Sequence, residues 1–92
     1  MQSEEVRRCI NNIIFDSLKD RIAFEDITPE KHIINDLNAD SINALEIFLT
    51  VMSDFNIEME RRIIVGLNNI GELYHYVESL INANEETGKK SS

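Results

Sequence analysis

Ser41, with Asp40 before it and Ile42 after it, opens a run of apolar residues at helical spacing and is the side chain of this sequence best placed for chemistry. A serine hydroxyl at the mouth of a helix has two uses. It can accept a hydrogen bond from a first-turn backbone N–H and act as a cap. Alternatively it can carry a covalently attached phosphate, which the unsatisfied N–H groups and the positive end of the helix dipole favour. Other candidates are poorer. Cys9 is the only cysteine, so neither an internal disulfide nor a cysteine-based zinc site is available. It falls among the apolar residues of the first segment and reads as a reduced core thiol. His32 and His75 stand apart from any Ser or Cys at a recognisable spacing and read as surface or boundary residues. Asp36 and Asp40 suggest paired carboxylates, but loop and cap roles explain them better.

Four segments must position these residues. The first begins near Ser3, a plausible N-cap followed by Glu4 and Glu5, and continues with Val6, Cys9, Ile10, Ile13, Ile14 and Leu18 on one stripe, with Ile22 next in register. From Ala23 to Ala39 the periodicity lapses. Phe24, Ile27, Ile33, Ile34 and Leu37 are nevertheless too apolar for a solvated linker, so a long loop packed on the bundle is expected, with a short helical turn at Thr28-Pro29. The second helix runs from about Ser41 to Phe55, with Asp40 or Ser41 as its cap. Ile47, Phe48, Val51 and Phe55 suit a core, while Ile42, Leu45, Leu49 and Met52 form an adjoining stripe that is either buried or a docking surface.

The stretch Met59 to Leu67 contains the β-branched run Ile63-Ile64-Val65, but a single strand would lack a partner. A short third helix ending near Gly66 is expected instead. The last helix starts at Asn68 or Asn69, where Glu72 completes a capping-box-like spacing, and carries Ile70, Leu73, Tyr74, Val77, Leu80 and Ile81 on one face. Periodicity ends at Asn82. The expectation is an all-α fold, a four-helix bundle forming one domain over 3–82, followed by a disordered tail over 83–92.

Charge narrows the partners. The net charge is -8, and no Lys or Arg lies between Lys31 and Arg61, where Asp36, Asp40, Glu46, Asp54, Glu58 and Glu60 all fall. Nucleic-acid binding needs the opposite pattern. Such a field steers association with basic surfaces, unless it is merely a solvated face. No apolar run approaches the roughly 20 residues of a membrane span, and the N-terminal MQSEEVRR lacks a signal-type apolar stretch, so a cytoplasmic location is expected.

With those elements in place, the run Asp36-Leu37-Asn38-Ala39-Asp40-Ser41-Ile42 resembles the acyl carrier protein signature, usually written D-L-G-A-D-S-L, at the start of the second helix. The similarity extends without a gap over roughly Glu4 to Ile81. Glu46 falls on the family's acidic position, Phe55 on its helix-ending Phe, Asn69 on its last helix cap, and Tyr76-Val77 on its Tyr-aliphatic pair. The resemblance implies a bundle of the acyl-carrier type, with Ser41 as the attachment point for 4'-phosphopantetheine. A phosphopantetheinyl transferase would load it from coenzyme A, with Asp40 helping to place the metal ion of the transfer.

The chain would then be a carrier and not an enzyme, its acyl thioesters being handed to acyl-transferring and acyl-modifying enzymes with basic docking surfaces. Asp36, Asp40, Ile42, Leu45, Glu46 and Leu49 fall on the family's partner-recognition positions, and a monomer is expected. Departures are specific. Asn38 replaces a Gly, which fits if its backbone is left-handed; Asn43, Met52 and Ser53 stand at often acidic positions; Arg61-Arg62 stand where the third helix usually starts with acids. These imply a specialised carrier for a dedicated fatty-acid, polyketide or related lipid pathway. A peptidyl or aminoacyl carrier, and an unmodified acidic adaptor in which Ser41 is only a cap, remain the alternatives.

Overall fold

The computed structural model describes the backbone of residues 3–91 and the side chains of residues 4–83. Among the described residues all regular structure is helical: α1 (Ser3–Leu18), a 3-10 turn (Phe24–Asp26), α2 (Ser41–Phe55), α3 (Arg61–Gly66) and α4 (Ile70–Ser91). The expected four helices are present, with a long loop between α1 and α2 and a short α3.

Each main helix turns one stripe inward. Val6, Ile10, Ile14 and Leu18 of α1 meet Ala44, Ile47, Phe48 and Val51 of α2, and Ile70, Leu73, Tyr74, Val77 and Ile81 of α4 complete the core. Among the described residues no polar or charged side chain other than Tyr74 joins them. Cys9 corrects the sequence reading: its thiol is exposed. The buried residues of α1 recur every fourth position from Val6, and Cys9 lies about 120° around the helix from the middle of that stripe.

The loop packs as its composition predicts, but only in part. Ile27, Ile33, Leu37 and Ala39 are buried, whereas Phe24 and Ile34 stay exposed. Phe24 keeps one contact, edge-on to Phe15 with ring centroids 5.7 Å apart. Thr28-Pro29 begins no helix. It is a turn closed by Lys31 N–H to Thr28 O at 3.1 Å, and the 3-10 turn lies earlier, at Phe24–Asp26.

The loop also caps α4 from outside. Ile70 N–H donates to Lys31 O at 2.9 Å and Gly71 N–H to Pro29 O at 2.8 Å, satisfying first-turn donors that the helix itself leaves open. A Cβ on Gly71 would stand 3.3 Å from Pro29 O, so glycine permits this approach. Asn69 Oδ1 accepts from Glu72 N–H at 2.9 Å, which makes Asn69 the cap. The Glu72 carboxylate reaches back to Asn68 N–H at 2.8 Å, one residue earlier than in a standard capping box.

At both chain ends the helices run to the edge of what is described. α1 includes Ser3 itself, and the residue before it, where a cap would sit, lies outside the described residues. α4 continues to Ser91, whereas loss of periodicity predicts disorder over 83–92. The packed part does end as the apolar stripe does, at Ile81. Beyond it Gly88 is the only residue strongly unfavourable to a helix, so the backbone winds on past its packing face.

α1 and α4 are joined by polar contacts at the core edge. Tyr74 Oη donates to Asn11 Oδ1, and the Arg7 guanidinium lies 5.4 Å over the Tyr74 ring while its Nε stands 3.6 Å from Glu78. Burial pushes the Tyr74 phenol above its ordinary range, more than the Asn11 bond and nearby Arg7 lower it. A raised folded-state value contributes stability that is fully present below the unfolded phenol's pKa of about 10 and is lost as pH rises past it through the higher folded-state value. Urea midpoints should therefore fall on the alkaline side, and Tyr74→Phe should flatten that fall. At the centre, Ile47→Ala removes a side chain with 0% exposure and should cost about 2–5 kcal/mol in urea denaturation.

Candidate functional site

The site begins with a backbone turn. Asn38 has φ 60°, the left-handed conformation that Asn accepts more readily than most residues, so the residue standing in place of glycine keeps the geometry. Before it, the 33–37 turn is organised by His32 and Asp36. The Asp36 carboxylate accepts from His32 N–H at 2.8 Å, His32 O accepts from Asp36 N–H at 2.8 Å, and His32 Nδ1 accepts from the amides of Ile34 and Asn35 at 3.1 and 3.2 Å. Leu37 and Ala39, buried on either side of Asn38, then pin the turn to the core.

The start of α2 resolves which residue is the cap. Asp40 is extended, with φ -89° and ψ 177°; its Oδ1 accepts from Asn43 N–H at 2.7 Å, and Asn43 Oδ1 accepts in return from Asp40 N–H at 3.4 Å. Asn43 Oδ1 also accepts from Arg21 Nη1 at 2.6 Å, tying the segment after α1 to this turn. Ser41 is therefore the first helical residue, not the cap, and its side chain is exposed.

Ser41 stands on the wall of a cavity of about 760 Å³ between α2 and α3, lined mainly by apolar side chains that include Phe48, Met52, Met59, Ile64 and Leu67. The two helices are held apart at defined points. Asn56, left-handed at φ 54°, ends α2, and Ile57 N–H donates to Met52 O at 3.0 Å. Met59 N–H meets Met52 Sδ at 3.3 Å, and Tyr76 Oη accepts from Glu60 N–H at 2.9 Å. α3 then returns alongside α2 without closing on it.

The adjoining apolar stripe of α2 is a surface. Ile42 is 68% exposed, Leu45 56% and Leu49 52%, and Val65 of α3 is 77% exposed. Glu46 lies exposed among them. Of the other expected recognition residues, Asp36 is spent on the loop and Asp40 on the cap, although both remain exposed. The acidic field is thinned further where Glu60 Oε2 pairs with Arg62 Nε at 2.7 Å. His32 and Tyr76 are the residues that sequence patterning missed. Neither ring-to-backbone bond has a periodic signature.

A small helical bundle with an apolar cavity opening beside an exposed serine has the form of a module that can hold a group. The phosphopantetheine attachment site family matches residues 16–77. Over 82 residues the chain is 27% identical to an acyl carrier protein of Picosynechococcus sp., covering 89% of this chain and 99% of that one. It is 28% identical over 64 residues to the meromycolate extension acyl carrier protein of Mycobacterium leprae, covering 70% of this chain and 56% of that protein. A solved acyl carrier protein structure from Enterococcus faecalis superposes with a TM-score of 0.73 at 29% identity, covering 87% of this chain and 99% of that chain. The chain belongs to the acyl carrier protein family, whose members bear 4'-phosphopantetheine. Its role is that of a carrier, not an enzyme.

The cap assignment changes what mutation should do. Asp40→Ala removes the side-chain acceptor and should cost about 1 kcal/mol in urea unfolding. Ser41→Ala should stay within about 0.5 kcal/mol of the parent, as for surface positions outside a cap.

Proposed function

We propose that Ser41 Oγ bears the phosphopantetheine group and that the chain holds acyl intermediates on it as thioesters, presenting them to partner enzymes of fatty-acid, polyketide or related lipid biosynthesis. The observation that carries this reading is the pairing of an exposed Ser41, relieved of capping by Asp40, with the cavity beside it. The residues fit the group: a phosphodiester on the first helical residue would meet backbone N–H groups and the positive end of α2. When bound, the group supplies a flexible arm ending in a thiol. What this chain's residues contribute is position and shelter, through the Asn38 turn, the Asp40 cap and the apolar cavity walls.

Ile42, Leu45 and Leu49, with Glu46 between them, form the recognition surface in this reading, while Asp36 and Asp40 shape the loop and cap beneath it. Partners would be a phosphopantetheinyl transferase and acyl-handling enzymes whose docking surfaces are basic opposite Glu46. The exposed Arg61 and Arg62 favour a specialised carrier over one serving general fatty-acid synthesis. The folded unit is taken as 3–82, acting as a cytoplasmic monomer. No helix among the described residues is long and apolar enough to cross a membrane. The adaptor alternative draws no support from a capping Ser41, because the cap is Asp40. The aminoacyl alternative is disfavoured by a cavity whose walls suit a longer apolar chain.

Incubation with coenzyme A, magnesium and a broad-specificity phosphopantetheinyl transferase, followed by intact mass measurement, should show one added phosphopantetheine on the parent and none on Ser41→Ala. An undiminished gain in the variant would move the site elsewhere, and no gain in either would defeat the carrier reading at this serine.

A further inference from the structure

We infer that the cavity beside Ser41 takes an acyl chain ending in an anionic group, a carboxylate at the end remote from the thioester, and that Arg61 selects it. This inference rests on Ser41 being the attachment point. Most of the cavity wall is aliphatic, aromatic or thioether, and among its lining side chains Arg61 is the one with a permanent charge. That guanidinium is exposed at the rim and has no carboxylate within ion-pair distance among the described residues; the neighbouring Glu60 is engaged by Arg62 at 2.7 Å.

The position of Arg61 along the cavity decides which anion it can meet. Ser41 and Met52 are 11 residues apart on α2, about 16 Å at 1.5 Å per residue. Met59 is bonded to Met52 at that far end, and Arg61 follows two residues later. The other end of the α3 segment comes back toward Ser41, because Ile70 and Gly71 at the start of α4 are bonded to Lys31 and Pro29, next to His32 of the cavity wall. A phosphate on Ser41 therefore lies at one end of the cavity and Arg61 at the other. A chain entering from the Ser41 end meets apolar walls along its length and a guanidinium at its tip. A plain alkyl chain would use the walls and leave Arg61 unpaired, whereas a terminal carboxylate adds a charge-assisted, potentially bidentate contact. Since the site is open to solvent, the preference is modest and salt-sensitive.

The transferase can load the full chain directly from acyl-coenzyme A donors carrying octanoyl, the ω-carboxylated chain of the same length, or the methyl ester of the latter. Thioester cleavage by hydroxylamine, normalised to the free donors, and the Arg61 Nε–H resonance are then followed. At low salt the carboxylated cargo should be cleaved about three-fold more slowly than octanoyl, as expected for one exposed charge contact. It should shift the Arg61 resonance, and the methyl ester should do neither. Arg61→Gln, at an exposed position, should abolish the difference while leaving octanoyl protection unchanged. Equal protection of octanoyl and carboxylated cargoes, or a difference that survives Arg61→Gln, would overturn the role of Arg61 while leaving a sheltering cavity intact. Protection of neither cargo would overturn the sheltering as well, and failure to load would overturn the attachment reading on which both stand.

Discussion

The reciprocal hydrogen bonds between Asp40 and Asn43 fix where α2 begins, and the rest of the site follows from that point. With Asp40 extended and Oδ1 on the Asn43 amide, Ser41 becomes the first helical residue, its hydroxyl is left out of the cap, and Ile42 and Leu45 project at the cavity edge. Asn43 does more than close the cap. Its side-chain oxygen also receives Arg21 Nη1, so the segment leaving α1 is tied to the same turn that presents Ser41. Shifting the start of α2 by one residue would rotate every side chain of the helix by about 100°, moving Ile47 and Val51 off the core and Leu45 and Leu49 toward it. The core therefore reinforces the cap.

The cavity is the second consequence of the same arrangement. Protein interiors are packed as densely as organic crystals, and voids larger than a water molecule are few. The space of about 760 Å³ between α2 and α3 is partly open to solvent, so it is a cleft between helices and not a void in the packed interior. It persists because α3 has only one turn and a half, is fixed at its start by Tyr76 Oη on Glu60 N–H, and leaves Val65 in solvent instead of pressing it onto α2. Stability lost to unfilled apolar wall becomes available to an occupant that covers it, which is the physical sense in which this module holds a cargo.

Period and punctuation made most of the frame legible. The stripes of α1, α2 and α4 follow from helical spacing, and Asn38 and Asn69 were readable as a left-handed position and a cap. Long-range approach was not readable. The carbonyls of Pro29 and Lys31 reaching α4, His32 Nδ1 on two amides, and Tyr76 on Glu60 connect residues whose distance in sequence carries no pattern. Cys9 was misjudged because a helix stripe is narrower than the list of apolar residues in its segment. Thr28-Pro29 offered a helix-start signal that the Lys31 bond converts into a turn. For Ser41, sequence left cap and attachment open; the observed Asp40–Asn43 geometry removes the capping role.

That geometry bears on how the acidic surface works. Six carboxylates fall between Lys31 and Arg61, but Asp36, Asp40 and Glu60 each have an internal bond, so the outward field is weaker than the count suggests. Glu46, Asp54 and Glu58 remain exposed, and of these Glu46 lies among the exposed Ile42, Leu45 and Leu49. Exposed charges separated by more than about 8 Å are largely screened at physiological salt, so distant acids steer encounter but add little to a formed complex. In the reading proposed above, affinity on this face comes chiefly from covering the apolar stripe, with Glu46 setting register. The same face that gains by being covered surrounds the mouth of the cavity, so a partner seated on it would sit directly over Ser41.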